Sequence, residues 1–240
     1  MPDIKDFPTI TLGGELFFNI SHLVTVGNGT RTLTDGIAVH HSVGQTEFKD
    51  TNFNGTSMDE EIAHITAIDN YHTQQGYGGF GYNAIAFASG RVYVVGDCSG
   101  KRAHVAYENG HLVGICMAGT FSDVMPPLGI ILGVGRWIKA MWELFPTNPP
   151  QLVLGHREWV KPEHAAKWST SCPGDEGLKA VHGAIIKTAI ALREQPEHEA
   201  HEQTLLVKAK IKAALEPAFK EADLKTLQAQ INYLLGTKTC

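Results

Sequence analysis

Residues 36–42 have the sequence GIAVHHS, a compact apolar run that ends at two adjacent histidines. Turn residues bound the run on both sides, an Asp-Gly pair at its start and Gly44 after it, and such runs are typical of buried strands. Because successive side chains of a strand point to opposite faces of its sheet, His40 and His41 cannot both reach one metal ion without distortion. The stretch therefore predicts a buried strand that brings one histidine to a functional site. The spacing does not decide whether that residue is His40 or His41.

The sequence beyond this strand alternates between helical and strand patterns. Ser57 and Glu60 have the spacing of a capping box, and apolar residues then recur at helical spacing to about Gln75, which predicts a helix. Residues 82–88 and 91–95 are two strand-like runs separated by a Ser-Gly pair, which is typical of an antiparallel hairpin.

The remaining elements complete an α/β pattern. Strands are predicted at 111–118 and 152–154, and helices at 137–145, which a proline ends, and at 177–193. Strands mixed with helices in this order predict an α/β fold, in which a mixed central β-sheet with at least one antiparallel pair is flanked by helices on both sides.

The chain after residue 193 differs in composition from the part before it. Residues 194–203 (EQPEHEAHEQ) are polar and contain a proline, which predicts a linker between a domain at 1–193 and a C-terminal segment. Residues 204–240 predict a helical appendage of two helices with a heptad-like apolar stripe, formed by Leu224, Leu227, Ile231 and Leu234. The stripe needs a partner, which is the main domain, the other helix, a second chain through self-association or a cell-surface ligand; packing within the protein is favoured.

The composition is that of a globular protein of 240 residues, with 43% apolar and 19% charged residues. Lysine and arginine number 20 against 25 aspartates and glutamates, so we expect no nucleic-acid partner. The longest apolar-rich run, 126–134, contains two prolines and two glycines and is shorter than the ~20 residues of a membrane span. Residues 1–18 lack a basic region followed by a sustained apolar one, so we expect no secretory leader.

Three separated residues form the candidate chemical site: His40 or its neighbour, His156 just after a predicted strand, and Cys172 in a Cys-Pro-Gly turn. A single histidine or free cysteine is more often structural than functional, so none of the three is informative alone. Together, two imidazoles and one thiolate suit zinc and leave the fourth tetrahedral position to water, which is the pattern of catalytic zinc sites. The four cysteines are too few and too scattered for a disulfide framework, and we expect reduced thiols.

Five blocks of the sequence resemble type 2 N-acetylmuramoyl-L-alanine amidases, a family that includes bacteriophage endolysins and the animal peptidoglycan recognition proteins. The blocks are, in order, IAVHHS, YHTQQGYGGFGYNAIAFASGRVYVVGD, RAHVAYENGHLVGICMAGTF, LGHRE and STSCPGD. The resemblance covers about residues 36–193, and five ordered blocks rarely coincide by chance.

The resemblance implies the fold of that family and one zinc ion bound by His40, His156 and Cys172, with His41 as a non-ligand neighbour. Tyr82 matches a family tyrosine beside the metal-bound water, and a catalytic role is implied for it. Thr170 matches a position where family members carry lysine or threonine, and its hydroxyl is implied to stabilise the oxyanion less strongly than a lysine would.

The resemblance also implies a substrate groove. His104 and Asn109 match positions that line it, where an imidazole and an amide can bond muramyl or peptide carbonyl groups. Glu158, two residues after His156, is a carboxylate that serves either as a general base or only as a surface charge.

The implied activity is hydrolysis of the amide between the lactyl group of N-acetylmuramic acid and the L-alanine of the peptidoglycan stem peptide, with zinc lowering the pKa of water toward ~7. Without a predicted leader, the protein suits a phage endolysin that is made in the host bacterial cytoplasm and later released to the cell wall. One alternative is a cytoplasmic amidase that recycles muropeptides. The other is a non-catalytic peptidoglycan-binding protein, against which the retention of Cys172 argues.

Two segments depart from the family pattern. The connection between His156 and Cys172 is longer than the short loop usual in the family. Its Trp159, Lys161 and Trp168 form either a rim of the groove, where aromatic faces suit sugar rings, or a loop that covers the sheet edge. Residues 1–35 do not align, and we expect them to add a strand or to cover one end of the groove.

Overall fold

The computed structural model describes residues 7–27, 29–43, 57–146 and 152–194 of the chain. The predicted helical appendage 204–240, and all of the predicted linker 194–203 except its first residue, lie outside the described residues. Within the described ranges, no helix combines the length and the apolar character that crossing a membrane requires.

Seven strands form one mixed sheet at the centre of the molecule. They are β1 (Thr9–Leu12), β2 (Glu15–Asn19), β3 (Gly36–His41), β4 (Ala84–Ala86), β5 (Val92–Val94), β6 (Leu112–Met117) and β7 (Leu152–Gly155). Their order across the sheet is β1-β2-β5-β4-β6-β3-β7. The pairs β1–β2 and β4–β5 are antiparallel, and the other neighbours are parallel. All six residues of β3 are buried, as its apolar sequence predicts.

Helices cover both faces of the sheet. They are α1 (Met58–Gln74), α2 (Leu128–Leu144), α3 (His156–Trp159), α4 (Ala165–Trp168), α5 (Asp175–Ala180) and α6 (Ile186–Arg193), with a 3-10 turn at Pro162–His164 and a π-helical turn, Val181–Ile185, between α5 and α6. Trp137 of α2 and Ile185 share one buried apolar cluster with Val39 of the sheet. Ile65 of α1 shares a second cluster with Ile85. The predicted sheet flanked by helices is confirmed.

The predicted start of the second long helix was wrong. The helix begins at Leu128 rather than at residue 137, although it ends where the sequence predicts. The glycines in its first part lie where other elements approach the helix closely. A Cβ on Gly129 would lie 2.0 Å from the carbonyl oxygen of Ala88, and one on Gly135 would lie 2.7 Å from the side chain of Thr188. The absence of side chains lets α2 approach the β4–β5 turn and α6 closely.

Residues 1–35 contribute the β1–β2 hairpin to the sheet. Phe18 and Asn19 of β2 pair in parallel with Tyr93 and Val94 of β5, so the hairpin extends the sheet at the edge opposite to β7. The expected additional strand is therefore confirmed, as two strands.

A buried carboxylate joins α1 to the β4–β5 hairpin. Glu61 is fully buried, and it accepts hydrogen bonds of 2.6 Å from the guanidinium of Arg91 and from the hydroxyl groups of Tyr93 and Ser89. We expect Glu61→Ala to lower the free energy of unfolding by about 3–5 kcal/mol, because it removes the fully buried carboxylate of an ion pair that also accepts hydrogen bonds from two hydroxyl groups. Denaturant titration measures this, and Lys179→Ala, at an exposed ion pair, is the control that should change little. Equal effects of the two changes on the free energy of unfolding would contradict a stabilising role of the buried Glu61 carboxylate.

Candidate metal centre

Two histidines and a cysteine meet at one edge of the sheet. Since β3 and β7 are parallel neighbours, their carboxyl ends lie together, which places His40 near the end of β3 beside His156, the first residue of α3. Arg157 holds the chain around Cys172 at the same edge. Its backbone N–H donates to the carbonyl oxygen of Cys172 (2.9 Å), and its guanidinium donates to the carbonyl oxygen of Ser171.

The three side chains form a compact cluster. His40, His156 and Cys172 each offer a ligand atom, and these atoms all lie within 4.8 Å of one another. The Nδ1 atom of His40 lies 3.8 Å from the Sγ atom of Cys172, and the two imidazole centroids are 4.5 Å apart. With bonds of about 2.0–2.1 Å to nitrogen and about 2.3 Å to sulfur, tetrahedral ligands lie about 3.6 Å apart. The cluster therefore fits one zinc ion with only small adjustments.

Burial sets the protonation of the cluster. It lowers the pKa of His40 well below its usual range, with repulsion from His156 acting in the same direction, and it lowers the pKa of His156 to about 4. Both imidazoles are therefore neutral at pH 7 and keep a lone pair for a metal. Burial also raises the pKa of the Cys172 thiol to about 12, which makes a nearby cation necessary for the thiolate to form at neutral pH.

His41 lies on the other face of the strand. Its Nδ1 accepts a hydrogen bond from the backbone N–H of Phe121 (3.2 Å), and burial lowers its pKa to about 4. Its own backbone N–H donates to the sulfur of Cys172 at 3.3 Å. The imidazole of His41 thus stays outside the cluster, while its main chain supports the sulfur.

The cluster lies in the wall of a cavity of about 530 Å³. Helix α1 contributes Tyr71 and His72 to this cavity, and the short helix α4 contributes Lys167 and Trp168. The sequence-predicted residues Tyr82, His104, Asn109 and Thr170 also line it, so the structure brings all of them together with the three candidate ligands.

Tyr82 and Thr170 lie close to the cluster and carry hydroxyl hydrogens, and the Tyr82 phenol also contacts the thiol of Cys116. The ring of Tyr82 is 5.1 Å from that of His40, between centroids, and burial raises the pKa of its phenol well above the usual range. Since the ordinary pKa of a tyrosine phenol is ~10, the group is protonated at neutral pH even without this shift. The Thr170 hydroxyl accepts a hydrogen bond from the backbone N–H of Cys172 (3.1 Å), which leaves its own hydrogen available.

His104 and Asn109 each make polar contacts to other groups of the protein. The Nδ1 atom of His104 lies 3.1 Å from the Nε2 atom of His40. Asn109 Oδ1 accepts hydrogen bonds from the backbone N–H groups of His104 (3.0 Å) and Val105 (2.8 Å). The sequence placed both residues at the groove, but it gave no signal of these contacts.

The three distinctive residues of the long connection divide between two roles. Trp168 lines the cavity, whereas Trp159 packs against β3 and donates from its indole to the carbonyl oxygen of Ile37 (3.2 Å). Lys161 forms a 2.8 Å ion pair with Glu108. The expected rim is thus met by Trp168 alone, whereas Trp159 packs on β3, an inner strand of the sheet, rather than on its edge.

Glu158 is occupied by structural contacts. Its carboxylate accepts a hydrogen bond from the backbone N–H of Gly155 (2.8 Å) and pairs with His182 at 2.9 Å. Glu158 is not among the described residues that line the cavity, which favours its structural role over that of a general base.

Sequence reasoning did not single out Lys167 and Tyr77 as residues of the cavity. Tyr77 precedes a glycine turn, and Lys167 lies three residues before Thr170, with its Nζ atom 5.1 Å from the ring centroid of Trp168. Neither belongs to a chemically informative pattern, so only the three-dimensional structure could identify them.

Comparison with solved structures places this fold among the peptidoglycan recognition proteins. Drosophila PGRP-LB is 18% identical with a TM-score of 0.53, over 67% of this chain and 88% of that one. PGRP-SA of Apis mellifera is 17% identical with a TM-score of 0.56, over 69% of this chain and 94% of that one. PGRP-LE, solved in complex with tracheal cytotoxin, is 15% identical with a TM-score of 0.54, over 69% of this chain and 92% of that one. At these identities the similarity establishes the fold alone.

The family comparison covers the cavity and its cluster. None of the curated proteins matches the chain. The family model described as N-acetylmuramoyl-L-alanine amidase (Amidase_2) matches residues 29–175, which is more than half of the chain and includes His40, His156 and Cys172. By this match, the chain belongs to the N-acetylmuramoyl-L-alanine amidase family.

Proposed function

We propose that this protein is a zinc-dependent amidase that cleaves the bond between N-acetylmuramic acid and the L-alanine of the peptidoglycan stem peptide. The observation that carries the proposal is the cluster of His40, His156 and Cys172 in the cavity wall, inside the segment that matches the family. A zinc ion there would polarise the scissile carbonyl and lower the pKa of a coordinated water toward ~7.

The chain itself would supply ligands and hydrogen-bond donors. His40, His156 and Cys172 would hold the metal through two imidazole nitrogens and one thiolate sulfur. Tyr82, whose phenol is protonated at neutral pH, would donate its hydrogen to the oxyanion that develops on the scissile carbonyl. Thr170 donates its hydroxyl hydrogen to the same oxygen, with less stabilisation than a charged lysine would give.

The remaining cavity residues suit a glycopeptide. The exposed aromatic faces of Trp168, Tyr71 and Tyr77 offer surfaces on which sugar rings stack. Asn109 uses Oδ1 for its own loop, and its Nδ2 group is left to donate to muramyl or peptide carbonyls. PGRP-LE, which shares the fold, is described with a bound monomeric diaminopimelic acid-type peptidoglycan, a ligand of the class proposed here.

The biological role proposed is that of a phage endolysin, which stays in the host bacterial cytoplasm until it is released to the wall. A muropeptide-recycling amidase would act on soluble fragments but not on intact walls. A non-catalytic binding protein would require no metal ligand at position 172, and the sulfur of Cys172 lies 3.8 Å from His40. That proximity favours catalysis over binding alone.

Mass spectrometry of purified peptidoglycan digested by the zinc-loaded protein tests the proposal. We expect released stem peptides with a free amino group on L-alanine, and glycan strands without new reducing ends. Loss of wall turbidity in the same reaction supports the endolysin over the recycling enzyme. Products cut between sugars, or no products with metal-loaded protein, would contradict the amidase assignment.

Removal of residues 203–240 should leave hydrolysis of soluble muropeptides within about threefold of the full chain. The three candidate ligands, and all of the described residues that line the cavity, lie at or before position 172. Steady-state kinetics and zinc analysis of the two chain lengths make the measurement. Loss of zinc on truncation would show that the predicted domain boundary is misplaced.

A further inference from the structure

His104 lies directly behind a candidate metal ligand. Its Nδ1 atom is 3.1 Å from Nε2 of His40, and the two rings are nearly perpendicular, with an interplanar angle of 86°. Both side chains are almost fully buried, at 7% and 1% exposure, so water does not compete for this contact.

The geometry assigns the hydrogen in this contact. Nδ1 of His40 faces the sulfur of Cys172 at 3.8 Å, so Nδ1 is the atom that would hold a metal. A neutral imidazole that binds through Nδ1 carries its hydrogen on Nε2. That hydrogen points to Nδ1 of His104, which must therefore accept it.

The surrounding backbone fixes the ring of His104. A Cβ atom on Gly114 would lie 2.8 Å from three atoms of this ring, so only glycine at that position of β6 leaves room for it. Asn109 Oδ1 accepts a hydrogen bond from the backbone N–H of His104 (3.0 Å). The backbone N–H of Gly114 in turn donates to Oδ1 of Asn83 (3.0 Å), which is fully buried.

We propose that His104 is a positioning residue that fixes the tautomer and the ring orientation of His40, so that Nδ1 of His40 is presented to the metal. This role rests on the proposed zinc site, and it differs from the substrate contact that the sequence predicts for His104. Loss of a supporting hydrogen bond of this kind typically lowers metal affinity by about 10–100-fold. Loss of a substrate contact would instead weaken substrate binding.

Two variants of nearly equal shape separate the hydrogen bond from simple packing. His104→Leu removes the acceptor, and His104→Asn retains one at the position of Nδ1. We expect zinc affinity to fall about 10–100-fold in His104→Leu and to stay within about threefold of wild type in His104→Asn, measured by competition with a chromophoric chelator. The visible spectrum of the cobalt-substituted protein should shift in the leucine variant only.

A third variant leaves His104 itself in place. Gly114→Ala should displace the ring and weaken zinc binding in the same direction as His104→Leu, while thermal unfolding of each metal-free variant reports on folding. Equal losses in the leucine and asparagine variants would overturn the proposal, since shape alone would explain them. Unchanged zinc affinity with a raised KM in His104→Leu would also overturn it, in favour of substrate contact. A wild-type protein that binds no zinc would instead refute the proposed function.

Discussion

Cys172→Ala is expected to abolish zinc binding and wall hydrolysis together. The substitution leaves two imidazoles, one fewer than the three protein ligands that catalytic zinc sites use. We expect zinc affinity to fall by more than about 100-fold, beyond the loss typical for a supporting residue, and turbidity clearance to fall to background. Zinc analysis by mass spectrometry and clearance of purified walls, on the same preparation, provide the two measurements.

Cys98→Ala is the matched control for this experiment. Cys98 is also a buried free cysteine, but it packs in the core outside the cavity-lining set. It should keep full zinc content and full activity. If Cys172→Ala still cleared walls in the presence of a chelator, the metal assignment would be refuted.

Tyr82→Phe should lower kcat by about 10²–10³-fold without loss of zinc, because removal of one oxyanion donor typically has an effect of this size. The ring that packs beside His40 is kept, so the site should retain its shape. Kinetics with a soluble muropeptide give kcat and KM separately. Tyr107→Phe is the control, since Tyr107 is exposed, stacks on His164 and is not among the described residues that line the cavity. A change in KM alone would mean that Tyr82 binds substrate without assisting the reaction.

The central fold could be predicted because its strands are short apolar runs between turn residues. Residues 36–42 and 111–118 follow this pattern, and both form buried strands. The first half of α2 could not be predicted in the same way. Gly129 and Gly135 weaken the helical pattern, and their purpose is visible only when the neighbours that a Cβ would strike are known. The β1–β2 hairpin likewise depends on pairing with β5, which is distant in sequence.

The candidate site could be predicted in composition but not in geometry. Residue types suited to zinc, and the family resemblance, identified His40, His156 and Cys172 from the sequence. Side chains alternate between the two faces of a strand, which explains why only one of the adjacent histidines faces the cluster. Which one it is depends on how β3 is placed in the sheet between β6 and β7. The contact between His40 and His104 joins residues 64 positions apart, and no local pattern encodes it.

X-ray absorption at the zinc edge is the most direct measurement of the central claim. For the purified 240-residue chain, we expect one zinc per chain with one sulfur at about 2.3 Å, two imidazole nitrogens at about 2.0 Å and one further oxygen. The same sample should release N-terminal L-alanine from peptidoglycan. A zinc shell without sulfur, or a protein with this shell that leaves the amide intact, would contradict the account.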